Sequence, residues 1–120
     1  MKNKILVISP HPDDLDFGCS GTVAKLTEKG EKVFYLIVSD GSKGNHKLKV
    51  SQGQLIKIRK AEQIKAAEVI RVKETFFLGI KDGEIEDTKF LRRELVKYIR
   101  KIKPDIIFSF DQLLIKIYKA

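Results

Sequence analysis

Short, unbroken apolar runs, separated by longer segments of helical spacing, constrain this chain more than any other feature. Ile5-Leu6-Val7-Ile8 is apolar at every position. A strand with one wet face alternates, so an unbroken run marks a strand buried on both faces, as in parallel sheets. Val33 to Val38 is a second such run, β-branched and aromatic, closed by the turn signal Ser39-Asp40-Gly41. Glu74 to Leu78 and Asp105 to Phe110 read as a third and a fourth strand.

Helical spacing fills the intervals. Pro10 and Pro12 keep a helix from starting directly after the first strand. The first helix is expected to begin at about Asp14 to Gly18 and run to Lys29, with Val23 and Leu26 facing inward and Gly30 as its stop. A second is expected from Ser51 to Ile70, with Ile58, Ala61, Ile64 and Ala67 as a broad apolar face. The third is the clearest: Leu91, Leu95, Tyr98, Ile99 and Ile102 recur at helical intervals, and Pro104 ends it. Residues 41–53 read as a long polar loop, and Gly79 to Asp87 as another with Asp82-Gly83 as a turn. Strand–helix alternation predicts an α/β domain with a mostly parallel sheet, right-handed crossovers and helices on both faces. Ligands in such sheets bind beyond the carboxyl ends of the strands. Three segments deliver polar residues there: His11 to Asp16, Ser39-Asp40-Gly41 and Ser109-Phe110-Asp111.

With 120 residues there is room for one domain, and 42% hydrophobic content supports a packed core. One cysteine, Cys19, excludes an intrachain disulfide and a zinc site built from cysteines, and fits a reducing cytoplasm. The apolar stretch before Pro10 is too short for a signal-peptide core or a membrane span. The net charge of +8 comes mostly from lysines spread along the chain, which predicts a solvated surface and no nucleic-acid partner.

His11-Pro12-Asp13-Asp14 carries the chemistry. Zinc accepts imidazole nitrogen and carboxylate oxygen, and catalytic sites use three protein ligands plus water. His11 and Asp14, on either side of a tight Pro-containing turn, are spaced to converge on one ion, with Asp13 beside it as general base. The plainer reading is that Asp13 or Asp14 caps the following helix and His11 is a loop histidine. Gly18-Cys19-Ser20-Gly21-Thr22, which follows, is small enough to admit a ligand or backbone.

The tetrad within Ser9 to Asp14, then Gly18 to Thr22, Ser39-Asp40-Gly41, Arg59-Lys60-Ala61-Glu62-Gln63, Phe77-Leu78-Gly79 with Asp82-Gly83, and Ile102-Lys103-Pro104-Asp105 occur in that order. In this the chain resembles the LmbE-like, or PIG-L, family of zinc-dependent de-N-acetylases from residue 4 to about residue 111. The resemblance implies a Rossmann-like three-layer fold. It also implies Zn2+ as cofactor and a small acetylated amino sugar or its conjugate as substrate, with hydrolysis of an N-acetyl group on an N-acetylglucosaminyl moiety. Residue by residue, His11 and Asp14 match metal ligands, Asp13 the general base, and Arg59 falls near a substrate-contacting arginine. For Arg59 the plainer reading is an exposed helix salt bridge.

Two departures stand out. Leu15 replaces the usual glutamate after the aspartates, with Asp16 following. No His-Pro-Asp-His-like segment follows Asp111; the residues after it, Gln112 to Ala120, are Lys- and Ile-rich. Three readings are open: a truncated product, the amino-terminal half of the family fold with residues 112–120 as an atypical tail; a natural short form; or replacement of the missing ligand by His46 from the long loop. An active deacetylase, an impaired member that binds only metal or sugar, and a basic anion or nucleic-acid binder are the competing functions. Apolar surface left beyond the fourth strand, partly covered by the tail, predicts a homo-oligomer.

Overall fold

A computed structural model describes residues 2–11, 20–40, 51–81, 84–110 and 115–119. Five strands form one sheet: β1 (Lys4–Ser9), β2 (Lys32–Ser39), β3 (Glu74–Ile80), β4 (Ile106–Phe110) and β5 (Ile115–Lys119), in the order β3-β2-β1-β4-β5. The first four run parallel, and β5 returns antiparallel along β4. The expected α/β, Rossmann-like architecture is therefore present. β1 occupies the centre, with Leu6 beside Phe34 of β2 on one side and Ile107 of β4 on the other.

Three helices are seen among the described residues: α1 (Ser20–Glu28), α2 (Gln52–Val69) and α3 (Lys89–Ile102). They divide between the two faces, because β1 sends alternate side chains to opposite sides. Ile5 and Val7 join Val33, Tyr35 and Ile37 under Val23 of α1 and Ala67 of α2. Leu6 joins Leu36 and Ile102 of α3 on the other face, with Leu95, Tyr98 and Ile99 packed around them.

Local chemistry sets the helix ends. α1 closes in a Schellman arrangement: Gly30 N–H donates to Thr27 O at 2.9 Å and Glu31 N–H to Leu26 O at 3.0 Å, with Gly30 at φ +88°. Ser51 and Gln54 form a capping box on α2. Thr88 caps α3, and Pro104 prevents its continuation beyond Lys103. Asp105, expected to open the fourth strand, instead ties the amino edge together. Its carboxylate accepts from Lys4 N–H at 2.8 Å and its own N–H donates to Lys4 O at 2.8 Å.

Three expectations need correction. Of the expected inward face of α2, Ala67 is buried but Ile58, Ala61 and Ile64 are exposed; Leu55 and Gln63 are buried with Ala67. Apolar residues are scattered around this helix, and the buried stripe contains polar members, so periodicity selects the wrong side. The third strand does not stop at Leu78 but continues to Ile80, because Gly79 adopts φ +73° and absorbs a register shift against β2 between Ile37 and Ser39. The tail contains a strand, β5, whose pairing with β4 from Phe110↔Ile115 to Ile106↔Lys119 covers β4's outer side.

Leu6 is fully buried in the central strand. Leu6→Ala is expected to lower unfolding free energy by about 3 kcal/mol, measured by urea denaturation. Gly79→Ala is expected to lower it by about 1 kcal/mol through its left-handed backbone alone, since an added Cβ meets nothing within 4 Å.

Candidate active site

The strand order determines where a ligand site belongs. The chain steps from β1 outward through β2 to β3, then crosses back to place β4 on the other side of β1. This reversal makes the carboxyl ends of β1 and β4 the switch point of the sheet, where adjoining loops diverge and leave a crevice. His11 lies there, two residues past the end of β1 and exposed to solvent.

Hydrogen bonds fix the exit of β1. The Ser9 hydroxyl, fully buried, donates to the carbonyl of His11 at 2.8 Å. Ser39 N–H donates to Pro10 O at 2.9 Å, which extends the β1–β2 ladder by one step and holds the backbone just before His11. Next to Ser39, Asp40 N–H donates to Ile80 O at 2.8 Å, across the bulge made by Gly79. The Ser39-Asp40 and Phe77-Leu78-Gly79 motifs thus meet at one edge of the sheet, beside the exit that carries His11.

Arg59 lies on the sheet-facing stripe of α2, one turn after buried Leu55 and one turn before buried Gln63, and is half-buried. Because α2 follows β2 and its last turn leads back to the start of β3, its amino-terminal half, with Arg59, lies toward the carboxyl edge. Lys60 adds a cation over the Phe77 ring, 5.3 Å from its centroid.

The Ser39 hydroxyl oxygen and the Gln63 side-chain nitrogen are among the buried polar atoms on this layer that have no hydrogen-bond partner. The turn signal in the sequence places Ser39 at the edge, whereas Gln63 stands out there only as part of a motif. The available signal was its position four residues after Arg59.

Asp13, Asp14, Gly18, Cys19, His46, Asp82, Gly83 and Asp111 lie outside the described residues. Of the proposed metal ligands the described residues include His11 alone, and among them no group of three His, Cys, Asp or Glu side chains forms a metal cluster. The two expected ligands, His11 and Asp14, would pair an imidazole with a carboxylate, donors of the kind that zinc accepts, and His11 stands at the switch point.

Known proteins resemble this chain in sequence and in fold. The family model PIG-L, described as GlcNAc-PI de-N-acetylase, matches residues 6–116. The chain belongs to the PIG-L family. It is 40% identical over 111 residues to a diacetylchitobiose deacetylase of Thermococcus kodakarensis, covering 92% of this chain and 42% of that protein. It is 31% identical over 115 residues to a probable N-acetyl-alpha-D-glucosaminyl L-malate deacetylase 2 of Bacillus cereus, covering 92% of this chain and 52% of that one. Among solved structures, the inhibitor complex of N,N'-diacetylchitobiose deacetylase from Pyrococcus horikoshii superposes with a TM-score of 0.82 at 36% identity, over 86% of this chain and 39% of that one. The chain spans about half the length of the relatives it matches.

An unpartnered buried hydroxyl destabilises a fold. Ser39→Ala is therefore expected to raise the unfolding free energy by about 1 kcal/mol in thermal or urea denaturation. A loss of stability would show that the hydroxyl has a partner.

Proposed function

We propose that this chain carries the amino-terminal part of a zinc-dependent de-N-acetylase site, acting on an N-acetylglucosaminyl-type amino sugar or its conjugate. The observation that carries the reading is the position of His11 at the exit of the central strand, in a family member whose relatives bear deacetylase names. His11 and Asp14 are the residues that would hold the metal. When bound, zinc supplies a Lewis acid for the amide carbonyl and lowers the pKa of water.

The chain's own residues have separate tasks. Asp13 accepts the proton of the attacking water and returns it toward the leaving amine. Pro12 stiffens the turn, which lowers the entropy lost when its neighbours are ordered around the ion. Arg59 contacts the substrate's polar groups from the sheet-facing side of α2. The acetylated amino sugars named in the relatives support a small polar substrate. The cytoplasm is the proposed location.

In a second reading the same residues bind metal or sugar without turnover. Acetate release from N,N'-diacetylchitobiose and N-acetylglucosamine, measured at saturating zinc, separates the two. The deacetylase reading predicts release that Asp13→Ala lowers by about two to four orders of magnitude while zinc stays bound. Full zinc occupancy with no acetate from either substrate contradicts it and leaves the binding reading.

A further inference from the structure

The outer face of α3 is strongly basic. Between Lys89 and Lys103 the sequence has seven cations, Lys89, Arg92, Arg93, Lys97, Arg100, Lys101 and Lys103, against one carboxylate, Glu94. Leu95, Tyr98, Ile99 and Ile102 face the sheet, so helical geometry sends Lys89, Arg93, Val96 and Arg100 to the opposite side. There Arg92, Arg93, Val96, Lys97 and Arg100 line an open groove of about 510 Å³. Val96 is 44% exposed at its floor, and Phe90, on the flank, is 58% exposed.

Local acids neutralise only part of this charge. Arg92 forms a two-pronged pair with Asp87, at 2.6 and 2.7 Å. That pair holds the Asp87 carboxyl below its usual range, first through the hydrogen bonds and then through the charge. Lys97 approaches Glu94 only to 3.9 Å. Among the described residues, Arg93 and Arg100 form no ion pair.

We propose that this face docks the protein peripherally on an anionic lipid surface, with phosphate-bearing headgroups seated among Arg93, Lys97 and Arg100 and with Phe90 and Val96 against the interface. Charge complementarity selects an anionic partner. The composition of the face selects lipid over nucleic acid. Its outward residues are cations and apolar side chains, without the hydroxyl or amide groups that share phosphate contacts in nucleic-acid interfaces. α3 ends at the amino edge, where Asp105 binds Lys4, so its first turn, with Lys89 and Phe90, lies at the carboxyl edge that holds His11. Docking through α3 therefore leaves α1 and α2, on the other face of the sheet, clear of the surface. The inference does not rest on the deacetylase reading.

The test is co-sedimentation of the full chain with vesicles of phosphatidylcholine alone or with roughly one-third phosphatidylglycerol. Binding is expected only to the anionic vesicles and to weaken as salt rises from about 0.1 to about 0.5 M. Arg93→Glu with Arg100→Glu is expected to lower partitioning by about tenfold or more. Lys25→Glu with Lys29→Glu, an equal charge change on exposed positions at the end of α1, is expected to lower it less than about threefold. All four positions are exposed, and unchanged circular-dichroism melting confirms folded variants. Equal losses from both pairs would assign the binding to overall charge and overturn the proposal. Binding to a DNA duplex but not to anionic vesicles would overturn it in favour of nucleic acid, and protection by free inorganic phosphate alone in favour of a small anion.

Discussion

The parallel hydrogen bonding of β1 to strands on both of its sides is the constraint from which the rest of the structure follows. A strand paired on both edges and covered on both faces has no wet surface, which is why Ile5 to Ile8 is uninterrupted by polar side chains. Its neighbours must run in the same direction, so each connection has to cross back over a face of the sheet, and the crossing elements are the helices. All the parallel strands then end at one edge. The residues immediately after β1 are forced to that edge, between loops that diverge.

Chemistry at the edge is built into the backbone rather than added by it. Ser9 bonds forward to His11, and Ser39 extends the ladder to Pro10, so the exit of β1 is held by two neighbouring polar contacts. Gly79 lets β3 reach the same level through a left-handed residue, and Asp40 is tied to the strand beyond it. Arg59 and Gln63 share the sheet-facing stripe of α2 with Leu55 and Ala67. A polar stripe pointing into the core side of a helix is unfavourable for folding, since buried polar groups lose water. Its presence toward the carboxyl edge, away from the apolar packing of Ala67, is consistent with a site there.

Fold and switch point were readable because they depend on patterns that survive tertiary context: unbroken apolar runs, and Gly30 and Pro104 as stops. The α3 face was readable for the same reason, since its apolar residues recur on one side. α2 was not, because Arg59 and Gln63 occupy its buried stripe while Ile58 and Ile64 point outward. The extension of β3 hid behind Gly79, which reads as a loop residue until its φ is known. β5 hid in a Lys- and Ile-rich tail whose strand character depends on having β4 to pair with. Of the site, the position of His11 was legible from the strand that precedes it, and the half-buried placement of Arg59 was not.

The proposed site requires His11 and Asp14 to supply nitrogen and oxygen ligands to a metal at the exit of β1. Zinc-edge X-ray absorption of the full chain at one equivalent of zinc tests this most directly. The expected spectrum has a first shell of only nitrogen and oxygen at about 2.0 to 2.2 Å, with an imidazole signature that is lost in His11→Ala. Sulfur at about 2.3 Å, which would implicate Cys19, or a fully hydrated ion insensitive to His11→Ala, would contradict it.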